Sequence, residues 1–378
     1  MTLNISAAFD GGNILVRDAS DPANVRLAIQ KDHYSGFYQW FYFRVSGEPG
    51  QKIGLVIENA GTAAYPFGWK DYQAVVSEDL QDWRRVPTAY DGKALTIDTE
   101  LRTGSLYVAY FAPYTSEQHQ RLVAKTLQDE RAHGTVLGQT LDGRDLDLLT
   151  IGAPGKGKRN LWITARQHPG ETMAEWWMEG FLEALLDPTS ETAQQLLEKA
   201  VLHIVPNMNP DGSARGHLRT NAAGINLNRE WNAPTMEKSP EVYLVREKMD
   251  QVGCDLALDV HGDEALPYNF IAGTEGIPSW SNRLADLLGS FKTAYVEATD
   301  GVFQTQHGYP VNKPGKANLG ICSNALAERF GCLAMTLEMP FKDDANHPDP
   351  EHGWSPERCK QLGADALTPL LTVLPKLR

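Results

Sequence analysis

The stretch ARQHPGETMAEWW, Ala165–Trp177, sets His168 and Glu171 three residues apart across Pro169 and Gly170. Imidazole nitrogen and carboxylate oxygen both suit zinc, and a catalytic zinc takes three protein ligands plus water. H-x-x-E recurs by chance in many chains, so the pair means little without a third ligand. CDLALDVHGDE, Cys254–Glu264, is an apolar run that leads into His261. That histidine is either the missing ligand or a loop residue satisfied by backbone. CLAMTLEMPF, Cys332–Phe341, is a second apolar run, interrupted by Glu338. A carboxylate there is costly to bury unless it is paired or used. Beside a zinc-activated water it is a natural general base. Between these pieces lies NMNPDGSARGHLRTNAAGINLNREW, Asn207–Trp231, too long and polar for a plain connector. Its Arg215, Arg219 and Arg229 are planar cations suited to a carboxylate.

The surrounding elements place these residues at one edge. LWITAR, Leu161–Arg166, reads as a buried strand, and a helix is predicted from about Thr172. His168 and Glu171 therefore fall in the turn leaving a strand's C-terminal end, where open α/β sheets bind ligands. His261 ends a similar strand. Strand-like runs alternate with amphipathic segments from LWITAR through VLHIVP to CDLALDVH. That alternation predicts an α/β domain with a mixed, largely parallel sheet flanked by helices. Ser239 and Ser355, each followed by proline, are N-cap candidates, and Gly253 and Gly331 sit where helices should stop. TVLGQTLDGRDLDLLTI, Thr135–Ile151, reads as a hairpin turning at Asp142-Gly143. Thr115–Ala132 reads as a joining helix. Earlier runs such as FYQWFYFRVSG, KIGLVIENAG and SLYVAYFAPY are aromatic and β-branched, which predicts an antiparallel sandwich or barrel. The division expected is a β-sandwich domain over residues 1–118 and a catalytic α/β domain over 119–378. Histidine and acidic clusters are sparse in the first, so no chemistry is expected there.

Composition narrows the partners. A formal net charge of −13 over 378 residues argues against nucleic acid, whose phosphates it would repel. No apolar run approaches the roughly 20 residues of a membrane span. MTLNISAAFDGGN lacks the basic and apolar regions of a secretory signal, so a cytoplasmic location is expected. Cys254, Cys322, Cys332 and Cys359 show no C-x-x-C spacing and read as buried thiols. GAPGKGK, Gly152–Lys158, nearly fits a phosphate loop, but Arg159 and a strand follow it, so it reads as an exposed basic turn. Glu175, Glu179 and Glu183 read as the solvent face of a helix, opposite Trp177, Phe181 and Leu185. His203 reads as structural, and His347 and His352 as loop histidines.

Taken in order, HPGE, NPDG, an R-x9-R pair ending in NLNR, a strand-final histidine and a strand-borne glutamate form a family pattern. This part of the chain resembles the zinc metallocarboxypeptidases of the funnelin type. The aromatic β region followed by YFAPYTSEQ resembles the N-terminal domain of their cytosolic carboxypeptidase branch. The resemblance implies one zinc ion per chain, held by His168, Glu171 and His261. It implies Glu338 as general base and proton shuttle, Arg219 as stabiliser of the oxyanion, and Asn228 and Arg229 as the clamp on a substrate's terminal carboxylate. The substrates would be peptide or protein C-termini. Two departures stand out. The family's acidic partner of a zinc histidine is here Asn226, and its mobile phenol has Tyr309 as the candidate. Lys313 and Lys316 near that tyrosine, with the branch resemblance, point to a C-terminal glutamate. Two other readings compete: a zinc deacylase of the aspartoacylase or succinylglutamate desuccinylase type, and an inactive peptide-binding module. The NPDG…NLNR loop and the large β region favour the peptidase.

Overall fold

The structure, a computed structural model, describes residues 3–377. Its N-terminal part is built from strands β1 (Asn4–Ser6), β2 (Leu15–Asp18), β3 (Val25–Ala28), β4 (Tyr42–Ser46), β5 (Gln51–Ile57), β6 (Val75–Ser77), β7 (Arg84–Arg85), β8 (Thr88–Tyr90), β9 (Leu95–Leu101) and β10 (Ser105–Ala109). They form two sheets, ordered β1-β4-β10-β6-β7 and β2-β3-β5-β9-β8. The alternation that predicted strands is visible in the packing: Ile53, Leu55 and Ile57 of β5 face Leu95, Ile97 and Leu101 of β9 in the core. The pairing is antiparallel with one departure from the expectation: β3 and β5 run parallel. Between them the chain crosses to the other sheet to form β4, so β5 re-enters alongside β3 in the same direction.

Helix α1 (Ser116–Thr126) follows, opened by a capping box in which Thr115 and Gln118 satisfy each other's free backbone groups. It is shorter than expected, because Ala132 already belongs to β11 (Ala132–Gln139). The hairpin to β12 (Asp145–Ile151) turns where predicted, with Gly143 at φ 76°. Next come β13 (Arg159–Ala165), α2 (Met173–Leu186), α3 (Glu191–Lys199), β14 (Ala200–Val205), α4 (Pro210–Arg215), α5 (Pro240–Val252), β15 (Leu256–Asp263), β16 (Phe270–Ala272), α6 (Asn282–Ala298), α7 (Cys322–Phe330), β17 (Leu333–Pro340), α8 (Pro356–Asp365) and α9 (Leu367–Val373). The sheet order is β11-β12-β14-β13-β15-β17-β16. Its centre is parallel and its edges antiparallel. β14, β15 and β17 are buried at every position, as strands covered by helices on both faces are.

Helices α2, α6, α8 and α9 pack in the same apolar cluster as the sandwich, so one core runs through both parts, and Phe341 stacks on Tyr110 with ring centroids 4.5 Å apart. Helices α5 and α7 cover the other face. α2 and α8 approach so closely that a Cβ on Gly180 would sit 2.1 Å from the Lys360 carbonyl oxygen, which requires glycine there. Gly253 and Gly331 end α5 and α7 with positive φ, as predicted. From β13 the chain proceeds to β14 on one side and then β15 on the other. That reversal opens a crevice beyond the C-terminal ends of β13 and β15. Among the described residues no helix is long and apolar enough to cross a membrane.

Candidate metal centre and active-site cleft

The crevice is where the candidate residues meet. β13 ends at Ala165, and Arg166 takes a left-handed turn at φ 57°. The chain then presents His168 and Glu171 before α2 begins. Glu171 lies between two imidazoles: its Oε1 is 2.7 Å from His168 Nδ1 and its Oε2 is 2.7 Å from His261 Nδ1. The two Nδ1 atoms are 3.2 Å apart. His168, Glu171 and His261 are 3%, 2% and 1% exposed, and their ligand atoms all lie within 4.8 Å of one another. Each imidazole has an oxygen partner on its far nitrogen, which sets tautomer and ring orientation. For His168 Nε2 that is Asn226 Oδ1 at 3.0 Å, and for His261 Nε2 it is Asp259 Oδ2 at 2.8 Å. Asp259 escaped the sequence reading, although it stands two residues before His261 on one strand and so shares its face.

Burial, with Arg219 adding to it, lowers His168 to about 4, so its ring is neutral and has a lone pair to offer. Burial alone would lower His261, but Asp259 and Glu171 outweigh it and raise the value. For Glu171 burial works upward, and the two imidazoles win and hold it below the usual carboxylate range. Glu338 pairs in register with His261 across β15 and β17. It is buried, and among the described residues its Oε2 has no hydrogen-bond partner. Burial pushes its carboxyl well up; His261 opposes this, and Glu171, Asp263 and Glu264 reinforce it.

Arg219 brings a guanidinium to the same spot, with Nη1 3.8 Å from Glu171 Oε1. Its Cζ lies over the Phe37 ring, 5.8 Å from the centroid, and over the Tyr65 ring, 5.4 Å from the centroid. Asn228 is buried, its Oδ1 accepting from the Cys322 backbone N–H at 2.8 Å. Arg229 is exposed at the cleft wall and donates to the Asn228 carbonyl oxygen at 2.6 Å. Tyr309 reaches the cleft too, donating its hydroxyl to Asp263 Oδ2 at 2.5 Å while its ring meets Phe270 edge-on. His168, Glu171, His261, Arg219, Arg229, Tyr309 and Glu338, with Asn228, line one cleft of ≈ 850 Å³.

Three expectations need correction. Lys313 and Lys316 are exposed and do not line the cleft; Lys292, from α6, and Glu275 do. Their loop lines the cleft only as far as Asn312, whereas α6 supplies Lys292 to the wall. The N-terminal part is not free of chemistry, since Tyr65 and Phe67 form a wall of the cleft. Glu175 is no solvent-face residue. It is fully buried, paired with Arg166 Nη1, and also held by His119 Nδ1 at 2.8 Å and Asn207 Nδ2 at 3.0 Å. α1 and the Arg166 turn cover that end of the helix, so only Glu183, further along, is left exposed. Other readings hold. His203 stacks on Trp162 and bonds Asn160, the four cysteines are buried and free, and GAPGKGK is an exposed turn.

Residues 5–111 match the cytosolic carboxypeptidase N-terminal domain, and residues 123–348 match the zinc carboxypeptidase family. The chain belongs to the zinc carboxypeptidase family. It is similar to a metallo-carboxypeptidase from Pseudomonas aeruginosa, solved in complex with (2-guanidinoethylmercapto)succinic acid. The two share 46% identity over 99% of this chain and 100% of that one, with a TM-score of 0.97. A metallo-carboxypeptidase from Burkholderia cenocepacia is also 46% identical, over 98% of both chains, with a TM-score of 0.96. Mouse cytosolic carboxypeptidase 1 is 30% identical over 64% of this chain, which spans only 24% of that protein's length. The protein is thus a zinc-dependent metallocarboxypeptidase with peptide substrates, which favours that reading over the deacylase and the binding module.

Proposed function

We propose that the protein removes single C-terminal residues from peptides or proteins, with His168, Glu171 and His261 holding the zinc. The observation that carries this is one cleft end where three buried ligand groups meet Arg219 and a carboxylate with an unpartnered oxygen. Two imidazoles and a carboxylate leaving one side open is a donor set that fits catalytic zinc. Zinc, when bound, acidifies water and polarises a carbonyl. The rest is the work of the chain. Glu338 accepts a proton from the attacking water at Oε2 and passes it to the departing amine. Arg219 faces the oxygen on which negative charge develops. Asn228 and Arg229 take the substrate's terminal carboxylate, and Tyr309, released from Asp263, turns toward the substrate. Asn226 orients His168 without adding charge. Matches at residues 5–111 and 123–348 support two domains divided near 118/119 and, with the branch they belong to, a cytoplasmic location.

For the leaving residue, Lys292 supports a C-terminal glutamate, because it sets an amine in the cleft wall where an acidic side chain could pair with it. Glu275, which acts on Lys292 electrostatically, favours a second reading, a basic leaving residue. Matched peptides ending in Glu, Phe and Lys, free or amidated, decide both points. Amidation should cost at least several kcal/mol of transition-state binding, the scale of a charge losing its partner. Equal cleavage of amidated peptides would remove the exopeptidase reading. Preference for Lys would move specificity from Lys292 to Glu275, and preference for Phe would reject both.

A further inference from the structure

We infer that the N-terminal sandwich completes the active site, with Asp32 as the positioning residue for Arg219. The inference rests on the role proposed for Arg219. Asp32 is 2% exposed, and its carboxylate accepts four hydrogen bonds from the loop that carries Arg219. Oδ1 takes the Leu218 N–H at 2.7 Å. Oδ2 takes the N–H groups of Arg219 and Thr220, each at 2.9 Å, and the Thr220 hydroxyl at 3.0 Å. Three successive backbone amides converging on one buried anion fix the path of the chain at Arg219 itself.

The same N-terminal turn also sets the side chain. It is closed by the Asp32 N–H donating to the Phe37 carbonyl oxygen at 2.9 Å, and the Arg219 Cζ lies over the Phe37 ring, 5.8 Å from its centroid. Tyr65, from the same part, stands within 5.4 Å. Neighbouring contacts hold the rest of the loop. The His33 N–H donates to His217 Nε2 at 3.1 Å, and Asn13 Nδ2 donates to the Gly216 carbonyl oxygen at 2.8 Å. Gly224, at φ 76°, fits so tightly that a Cβ there would lie 2.6 Å from the Tyr34 carbonyl oxygen. The polar loop has little regular structure to hold it, so its shape is imposed from outside. One turn from the sandwich fixes both the backbone and the side-chain direction of a single arginine. A carboxylate serving only to join two domains would have no reason to act through that residue.

The test is a double-mutant cycle on the full chain, comparing wild type, Asp32→Asn, Arg219→Ala and the double variant. An asparagine must turn an amide group toward N–H donors and loses part of the clamp. Arg219→Ala should lower kcat/KM roughly 10²–10³-fold, as loss of an oxyanion donor does. Asp32→Asn should lower it roughly 10- to 100-fold, mostly in kcat, by misplacing that donor. In the Arg219→Ala background, Asp32→Asn should then change kcat/KM less than about twofold, because the group it positions is gone. Zinc content should stay near that of wild type in all four. Single effects that multiply in the double variant would show that Asp32 acts independently of Arg219 and overturn the inference. Normal kinetics of Asp32→Asn beside a crippled Arg219→Ala would also overturn it and leave the Arg219 role standing. An unimpaired Arg219→Ala would remove both. If Asp32→Asn does not fold, Phe37→Leu takes its place in the cycle. It leaves the loop's backbone bonds intact and must likewise be damaging alone and silent without Arg219.

Discussion

Replacing Glu338 with glutamine tests the proton-transfer assignment with little disturbance of the structure. The two side chains have the same shape. Among the described residues Oε2 of Glu338 has no hydrogen-bond partner, so none is broken on that side. An amide there leaves a buried donor unsatisfied, at a cost of about 1–3 kcal/mol. Against that, the substitution removes a carboxylate whose charge burial and the nearby Glu171, Asp263 and Glu264 already disfavour. The two effects oppose each other, so the thermal midpoint should move little. Glu338 is outside the His168–Glu171–His261 group, so zinc content should be unchanged. Turnover should fall about 10²–10⁴-fold, or about 3–5 kcal/mol of activation free energy, the usual worth of a positioned general base. KM for a C-terminal peptide should hardly change. Steady-state kinetics with zinc determination by mass spectrometry reads all of this. A near-normal kcat would place the base elsewhere. Lost zinc would mean that Glu338 supports the metal instead, and a rise in KM alone would make it a binding group.

His261→Ala should drop zinc content well below one equivalent, and full retention would mean that the third ligand is another residue. Asn226→Asp should shift zinc affinity or the pH–rate profile, since a charged partner makes His168 more basic; identical values in both assays would show that this position does not tune the metal. The third concerns stability. Burial alone would lower His119, but Asp147 and Glu175 raise it from 6.5 to about 9. The protonated ring therefore stabilises the fold fully below pH 6.5, and that contribution is lost as the pH rises through about 9. The shift amounts to roughly 3 kcal/mol. Thermal melts over that window should fall more steeply for wild type than for His119→Gln, and parallel curves would contradict the pairing.

Much of the site was legible in the sequence because its geometry is local. His168 and Glu171 share one turn, so their spacing alone brings them together. Strand periodicity carries His261 and Glu338 toward the C-terminal ends of buried strands, each two residues inside the last position, and helix and strand alternation predicts the sheet between them. Asp259 was equally available, since a spacing of two on a strand means a common face. What the sequence left open depends on which distant surface covers each face. Glu175 lies on a helix position that periodicity assigns to solvent, and only the packing of α1 and the placement of Arg166 turn it into a buried, paired charge. Lys292 and not Lys313 reaches the cleft because α6 packs beside β17, which no local pattern reports. The bonds from Asp32 to residues 218–220 join segments 186 to 188 positions apart. Local propensity and spacing act over a few residues, whereas a buried charge is tolerated only where the folded chain brings its partners. Tertiary packing therefore settled the surroundings of Asp32, Glu175 and Lys292, which spacing along the chain does not report.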